Sequence, residues 1–379
     1  MKLKLKNTPE QVELIKALGS KDLLVSREAS EAFAAFIGPV ISKVLQEAGT
    51  SGMIYSDSSF DEDDSPSYPL DLYYNQDAGF VSVWSQGLAG GLPSSDAGVP
   101  IAEMKIATYR LDSAVSLSKK YARKARLDVV SKALERMAQE VLVKQERNAW
   151  AVIVKALAEA ATLNGRSVAA GTASSLRHIL TTAVDGAFSV NDMSDLMIRF
   201  KRINVGWAGG TTAEAKGLTD LFISPEIMGQ IRNFAASPVS TASSTDLPAG
   251  VREEIFRGAG LATVYGVKLH ELVELGKSQK YNTLFETFSD AVGVAYNNAA
   301  SSNSEAAFNT ASHQIAVGLD LSREAFIRPV ARQADSGGAF TALPDDQFFA
   351  TRSDKMGFYG FLEEGRVCLD GRAVAGLFI

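Results

Sequence analysis

The chain has 379 residues, 46% hydrophobic and 22% charged, which is ordinary for a globular protein with an ample core. Its formal net charge of -6 argues against a free nucleic-acid-binding protein, although it allows a protein that surrounds DNA. One cysteine excludes an internal disulfide, and the absence of a signal-peptide core or an 18-residue apolar run predicts folding in a cytoplasm.

The first 48 residues predict three short helices that form an arm better than a core. The first helix begins at Pro9, a favoured first position, and ends at Gly19. A second helix is capped by Ser26, and Gly38-Pro39 breaks the chain before a third.

Residues 49–110 predict a long β-excursion with little core of its own, because short β-prone runs alternate with Gly and Pro. Met53–Tyr55, Leu70–Tyr74 and Phe80–Trp84 are among these runs. Between Lys43 and Lys105 there is no Lys or Arg, whereas the same interval holds ten carboxylates. An arm of one charge sign is stabilised most easily by a basic surface.

Four of these carboxylates are consecutive, namely Asp61, Glu62, Asp63 and Asp64. They lack the alternating ligands and the glycine of an EF-hand loop, which favours a solvated acidic loop over a metal site. A basic run follows the excursion and consists of Lys119, Lys120, Arg123, Lys124 and Arg126. It is either a solvated face beside a helix or a docking surface for the acidic arm of a neighbouring subunit.

The longest predicted helix is capped by Asp128 and extends over about 128–162, roughly 50 Å at 1.5 Å per residue. Residues 165–330 then alternate helix and strand signals, including helices over Asp192–Arg202 and Pro225–Phe234 and a loop over 235–250. Predicted strands in the remaining sequence are Leu218–Ser224, Ala262–Val273, Thr283–Phe288, Ile315–Leu321, Lys355–Leu362 and Ala373–Ile379, with a turn at Glu363-Glu364-Gly365.

No motif in the sequence predicts catalysis, a metal site or a cofactor. The three histidines are far apart, and none has metal-ligand spacing. Gly258 and Gly260 begin a GxG pattern, but Thr263 stands where a dinucleotide fingerprint needs glycine. Ser116 and Lys119 match S-x-x-K in a strand-like run, where they would not share a helical face.

Five stretches and their order resemble the major capsid proteins of tailed bacteriophages. In chain order they look like the returning strand of an E-loop, a spine helix, two elements of an A-domain and closing P-domain strands. The stretches are Ala107–Asp112, Glu140–Ala161, Leu221–Glu226, Tyr265–Leu269 and Met356–Val374.

The resemblance implies an α+β chain with the Hong Kong 97-like fold. The implied segments are an N-terminal arm (1–48), an E-loop (49–110), a P-domain with its spine helix (111–180), an A-domain (181–334) and closing P-domain strands (335–379). The family can carry a cleaved scaffolding segment, whereas here the arm begins almost at Met1. One member cross-links through an E-loop lysine, which residues 44–104 lack.

The family implies a structural protein and not an enzyme. Copies would form pentamers and hexamers that close into an icosahedral shell around double-stranded DNA, without sequence-specific binding. Portal, scaffolding and decoration proteins would be partners, with assembly in the host bacterial cytoplasm and final location in the virion. The alternatives are an encapsulin shell around cargo protein and a soluble enzyme or binding domain with a β-arm.

The implied functional sites are contact surfaces between copies of the chain. We expect Asp61, Glu62, Asp63 and Asp64 to face basic residues of a neighbour. Arg123, Lys124 and Arg126 are the candidate partners, and Lys119 and Lys120 of the same run are further contact candidates.

Overall fold

The computed structural model describes the following parts of the chain: residues 8–47, 49–61, 66–69, 103–124, 127–163, 178–182, 184, 186–203, 217–233, 263–292, 296–297, 305–306, 308–332, 341–344 and 354–379. Two compact units divide the chain. The first unit comprises Met1–Tyr68, Met104–Ala149 and Phe326–Val367, and the second comprises Pro69–Glu103, Trp150–Ala325 and Cys368–Ile379.

The helices are distributed along the whole chain, and the longest contributes to both units. In chain order they are α1 (Pro9–Leu18), α2 (Leu23–Glu47), α3 (Ser51–Ile54), α4 (Lys119–Arg123), α5 (Leu127–Leu163), α6 (Val190–Ile203), α7 (Pro225–Asn233) and α8 (Lys280–Val292).

The described strands lie between residues 56 and 118 and between residues 179 and 378. In chain order they are β1 (Ser56–Asp61), β2 (Ser67–Pro69), β3 (Glu103–Lys105), β4 (Tyr109–Ser118), β5 (Ile179–Thr181), β6 (Asp220–Ile223), β7 (Thr263–Val264), β8 (Val267–Glu271), β9 (Tyr296–Asn297), β10 (Glu305–Ala306), β11 (Ile315–Leu319), β12 (Phe326–Arg332), β13 (Thr341–Pro344), β14 (Lys355–Glu364), β15 (Val367–Cys368) and β16 (Val374–Phe378).

The first unit is built on a sheet in which β12 and β14 are flanked by two edge strands. One edge is β1, which runs parallel to β12 from Ser56 opposite Ile327. The other edge is β4, which is antiparallel to β14 over their full lengths, from Tyr109 opposite Glu364 to Ser118. β13 pairs with β14 on the side away from β4.

Helices α1 and α2 and the first part of α5 cover one face of this sheet. Alternation along β14 places Met356, Phe358 and Leu362 on the covered face. The ring of Phe33 in α2 lies 5.2 Å from that of Phe358, centroid to centroid. The amino-terminal helices therefore contribute side chains to a core, whereas the sequence suggested a coreless arm.

The predicted break at Gly38-Pro39 is wrong, because α2 is continuous through both residues. The pair predicted a break because a proline in a helix interior costs about 3 kcal/mol. Ser26 does not cap the helix. Asp22 does so, since its Oδ1 accepts a 3.1 Å hydrogen bond from the backbone N–H of Leu24.

The β-prone run Met53–Tyr55 largely belongs to α3 instead of a strand. Glu146 of α5 fixes this turn, because its carboxylate accepts bonds from Thr50 Oγ1 at 2.9 Å and from Ser51 Oγ at 2.7 Å. Gly49 has a φ of +101°, and a Cβ there would meet Glu146. Glycine is therefore required at this position.

The second unit contains a mixed sheet in the order β5-β16-β11-β6-β8-β7. Its central strands β6, β11 and β16 are buried along their whole length. Helices α6 and α7 contribute Phe200 and Ile227 to its core. Trp150 lies fully buried beside this sheet, with its ring 4.9 Å from Phe222 and 5.5 Å from Tyr281.

Several predictions in this unit need correction. Thr283–Phe288 lies in α8, because Tyr281, Phe285 and Ser289 share one buried helical face. Ala262–Val273 is a hairpin, since Tyr265 and the following glycine adopt positive φ between β7 and β8.

The strands at the end of the chain belong to two different sheets. β16 pairs with β11 in the second sheet, whereas β14 lies in the first. Glu363 and Glu364 end β14 and are not part of the turn. Asp128 lies inside α5, one residue after the helix begins.

The other predicted helices and strands agree with the structure where it describes them. This holds for α1, α5, α6, α7, β6 and β11 within one to three residues at either end. The runs Leu70–Tyr74 and Phe80–Trp84 and the loop 235–250 lie outside the described residues. The five-segment division of the chain stays a prediction.

Candidate functional site

The basic run begins where β4 ends. The Ser118 side chain caps α4 by accepting a 3.4 Å bond from the backbone N–H of Lys120. The backbone N–H of Lys119 donates to the carbonyl oxygen of Asp354 at 3.0 Å, which closes this end of the β4–β14 pair. Lys119 is only 8% exposed, so it is poorly placed for contact with another copy.

Arg123 is already engaged within the first unit. Its Nε donates to the carbonyl oxygen of Gly19 at 2.9 Å, and its Nη2 lies 2.9 Å from Asp354 Oδ1. A Cβ on Gly19 would lie 2.7 Å from the backbone nitrogen of Arg123, so glycine permits this close approach of α1 and α4. An exposed ion pair of this kind contributes about 0–1 kcal/mol.

Lys120 and Lys124 are the residues of the run most available to a partner. Both side chains are exposed. Neither forms an ion pair with any residue in the described ranges. Arg126, the last member of the run, lies outside those ranges.

The acidic cluster is represented in the structure by its first residue. Asp61 is exposed at the end of β1, paired in register with Arg332, whereas Glu62, Asp63 and Asp64 lie outside the described residues. β1 and β4 are opposite edges of the first sheet, and α4 follows the end of β4 remote from Glu364.

That placement separates Asp61 from the basic run within one chain. The ten residues of β4 extend over about 30 Å at 3.3 Å per residue, and β12 and β14 lie between the two edges. A charge pair between Asp61 and Lys120 or Lys124 therefore requires a second copy of the chain. Such a contact stays a prediction.

A buried charge cluster in the first unit was missed by the sequence analysis. At its centre is Glu364, which is 0% exposed. One carboxylate oxygen accepts from Tyr109 Oη at 2.9 Å and from Arg366 Nε at 3.3 Å. The other accepts from Gln145 Nε2 at 3.0 Å and from Arg328 Nε at 2.7 Å. The cluster ties β4, α5, β12 and β14 together.

Burial, followed by the nearby charge of Glu364, raises the pKa of Tyr109 to about 12. Its hydroxyl thus remains a neutral donor to the carboxylate over the physiological pH range. The signal for this cluster was present in the sequence. Alternation in Lys355–Glu364 puts Glu364 in phase with Phe358 and Leu362, and a carboxylate at an apolar position implies a buried partner.

Among the described residues, His270 and Asp220 are the pair that most resembles part of a catalytic site. The His270 Nε2 lies 2.8 Å from Asp220 Oδ1, and the imidazole stacks on Phe222 with ring centroids 4.8 Å apart. No Ser, Thr or Cys side chain in the described ranges hydrogen-bonds to His270. The pair joins β6 to β8, which run parallel at this point.

The described residues hold neither a metal-ligand cluster nor a membrane-spanning helix. No group of three or more His, Cys, Asp or Glu side chains there is arranged to hold a metal ion. No helix in those ranges combines the length and apolar character needed to cross a membrane.

No protein-family model matches the sequence, and no curated protein matches it. Solved structures do match. The capsid structure of the cyanophage P-SCSP1u is 13% identical with a TM-score of 0.50, covering 86% of each chain. The capsid of a native GTA particle is 14% identical with a TM-score of 0.49, covering 88% of this chain and 91% of that one. The holo-SrpI encapsulin from Synechococcus elongatus PCC 7942 is 13% identical with a TM-score of 0.40, covering 73% and 75%.

At 13% identity, the match to the cyanophage capsid structure establishes a shared fold. The chain has the α+β, Hong Kong 97-like fold that its sequence predicted, with the similarity extending over most of its length. The lower score against the encapsulin carries no argument for a cargo-enclosing shell.

Proposed function

We propose that this chain is the major capsid subunit of a tailed bacteriophage, a structural protein and not an enzyme. Its copies assemble as pentamers and hexamers into an icosahedral shell that encloses double-stranded DNA. The observation that carries the proposal is the fold shared with the cyanophage P-SCSP1u capsid structure over 86% of both chains.

The charge distribution of the first unit supports assembly by repeated contacts. Asp61 lies at one edge of the sheet, and exposed Lys120 and Lys124 follow the opposite edge. Two complementary patches on different sides of one subunit favour head-to-tail contacts, which close into rings when the rotation permits. Glu62, Asp63, Asp64 and Arg126 would extend the same two patches.

The mild acidity of the chain suits a container for DNA. A net charge of -6 supplies little attraction for phosphates, so DNA would be enclosed without sequence-specific binding. Portal, scaffolding and decoration proteins would complete the particle, which would assemble in the cytoplasm of the bacterial host.

Electron microscopy of the purified, untagged protein tests the proposal, together with its sedimentation profile. We expect closed shells, rings or sheets of capsomers, formed by the protein alone or with a co-expressed scaffold. Shells that contain protein cargo and no DNA when isolated from the native host would indicate an encapsulin. A discrete small oligomer at every salt concentration, with or without scaffold, would contradict a shell subunit.

A further inference from the structure

A cavity of about 50 Å³ lies beside the buried charge cluster of the first unit. This volume is several times that needed for one water molecule, which is about 10–15 Å³ on the same measure. Its walls come from α3 and the start of β1, from α5, and from β12 and the segment after β14. The lining residues are Ser51, Gly52, Tyr55, Asp57, Gln145, Arg328 and Arg366.

The charges around this cavity do not balance in its buried part. Arg328 and Arg366 are both at least nine-tenths buried, and Glu364 is the fully buried carboxylate that they share. Asp57 is the other carboxylate at the wall, but its side chain is 47% exposed and lies 3.3 Å from Arg328 Nη1. Solvent weakens that contact, so Asp57 offsets the second arginine less than a buried carboxylate would.

The hydrogen bonds show the same excess of donors. Glu364 already accepts from Tyr109, Gln145 and both arginines, which occupies both of its oxygens. Nη1 of Arg366 is buried and finds no hydrogen-bond partner among the residues that the structure describes. A buried guanidinium N–H without an acceptor costs free energy that a bound acceptor would recover.

We propose that this cavity binds a small oxyanion, of the carboxylate or phosphate class, held by the guanidinium groups of Arg328 and Arg366. Glu364 already occupies Nε of both arginines, so the donor left for such an anion is Nη1 of Arg366, supported by the positive charge of Arg328. The ligand is either a free anion or an acidic side chain of a second copy of the chain. The site itself does not depend on shell assembly.

The primary test is binding of inorganic phosphate and of acetate to the full chain, by calorimetry and thermal unfolding at constant ionic strength. We expect saturable binding and a rise in the unfolding temperature, because a ligand that binds only the folded state stabilises it. Arg366→Lys keeps the positive charge but removes the Nη1 donor, and should abolish the saturable binding of both anions. No saturable effect of either anion on the unsubstituted chain would overturn the proposal.

A second variant keeps the test valid if Arg366→Lys fails to fold. Asp57→Asn removes the exposed carboxylate that competes for Arg328, and should lower the Kd for phosphate roughly two- to fivefold, the effect of one half-exposed charge. Asp290→Asn is the control, since Asp290 is exposed, does not line the cavity and takes no part in the contacts proposed above. Equal Kd values for Asp57→Asn and the unsubstituted chain would count against the site.

Sedimentation of the assembled protein distinguishes the two sources of the oxyanion. If a carboxylate of a second copy occupies the cavity, acetate and phosphate will compete with it and release subunits at constant ionic strength. If the natural ligand is a free anion, assembly will be unchanged or strengthened. Binding to unassembled subunits establishes the site in either case.

Discussion

Glu364 and Arg328 meet at 2.7 Å, carboxylate oxygen to Nε, where β14 and β12 pair in the first sheet. Glu364 is fully buried and the Arg328 side chain is 9% exposed, so water reaches neither charge freely. Each of these charges was desolvated on folding, and each depends on its partner to offset that cost. The pair therefore stabilises the contact between β12 and β14 only while both charges are present.

Replacing Glu364 by Gln should strongly destabilise the protein. The substitution leaves Arg328 and Arg366 buried without a full negative charge, which costs about 3–5 kcal/mol in free energy of unfolding. Chemical denaturation of the unassembled chain measures the change. Glu363→Gln is the neighbouring control, because Glu363 is only partly buried and bonds to Thr108 Oγ1.

The glutamine at 363 should cost no more than about 1 kcal/mol, the scale of a single partly exposed hydrogen bond. Equal losses for the two variants would mean that the buried cluster has no special part in the stability of the sheet.

Phe33→Ala should detach α2 from the first sheet. Phe33 is 2% exposed and its ring contacts that of Phe358, so the change leaves a cavity and costs about 3–5 kcal/mol. Leu24→Ala, on the same helix but 70% exposed, should change stability by no more than about 0.5 kcal/mol. Unfolding midpoints measure both. If Phe33→Ala were as mild as Leu24→Ala, α2 would not belong to the core.

Reversing two charges at the exposed end of the basic run should weaken assembly without unfolding the subunit. The double change Lys120→Glu with Lys124→Glu removes positive charges that have no ion-pair partner in the described residues. We expect the sedimentation boundary of shells or capsomers to shift toward subunits. The free energy of unfolding of the subunit should change by no more than about 0.5 kcal/mol.

The matched control makes the same charge change at another exposed pair, Lys277→Glu with Lys280→Glu. It should leave assembly nearly unaltered. Added salt should weaken assembly of the unsubstituted chain, because salt screens exposed charges. The Debye length is about 10 Å in 0.1 M salt and shortens as salt is added. Unchanged assembly of the Lys120 and Lys124 variant at low and high salt would remove the basic run from the interface.

Cys368 should be almost unreactive in the folded protein. Burial, followed by the negative charge of Asp370, raises the pKa of its thiol to about 12. At pH 8 the reactive thiolate is therefore on the order of a thousandfold scarcer than in an unfolded chain with a pKa of about 8.5. Reaction with an aromatic disulfide reagent, followed by absorbance with and without denaturant, measures the difference.

The raised pKa of Cys368 also makes the stability of the fold depend on pH. The folded thiol stays protonated while the unfolded one ionises, so stability falls as pH rises from about 9 toward 12. Because the sequence has one cysteine, Cys368→Ala gives the background of the assay and should lack this alkaline loss. Equal labelling rates in native buffer and in denaturant would contradict a protected thiol.

Regular apolar periodicity determined which elements were predictable from the sequence. Alternation identified β14, and helical spacing over Val130, Leu134 and Met137 identified α5, since both patterns persist over many residues. The strand predicted at Thr283–Phe288 failed because β-prone residues outweighed the helical spacing of Tyr281 and Phe285. Local propensity is a weak guide where tertiary burial decides.

The candidate site was less predictable than the fold. Charge runs in the sequence marked Asp61 and the lysines of α4, but they could not show that Lys119 is buried or that Arg123 is bound to Asp354. Those outcomes depend on residues more than 200 positions away in the chain. The cluster around Glu364 likewise depends on Tyr109 and Gln145, which lie 255 and 219 positions before it, so only the completed sheet brings the cluster together.

The parallel pairing of β1 with β12 delays completion of the first sheet during protein synthesis. Ser56 pairs with Ile327, about 270 residues later, and ribosomes add about 5–20 residues per second, so the wait is roughly 15–55 s. During that time α1 and α2 have been made but lack the strands they cover. A prematurely terminated chain that ends before Phe326 never acquires β12 or β14, so translation itself keeps unfinished chains from presenting a complete first sheet.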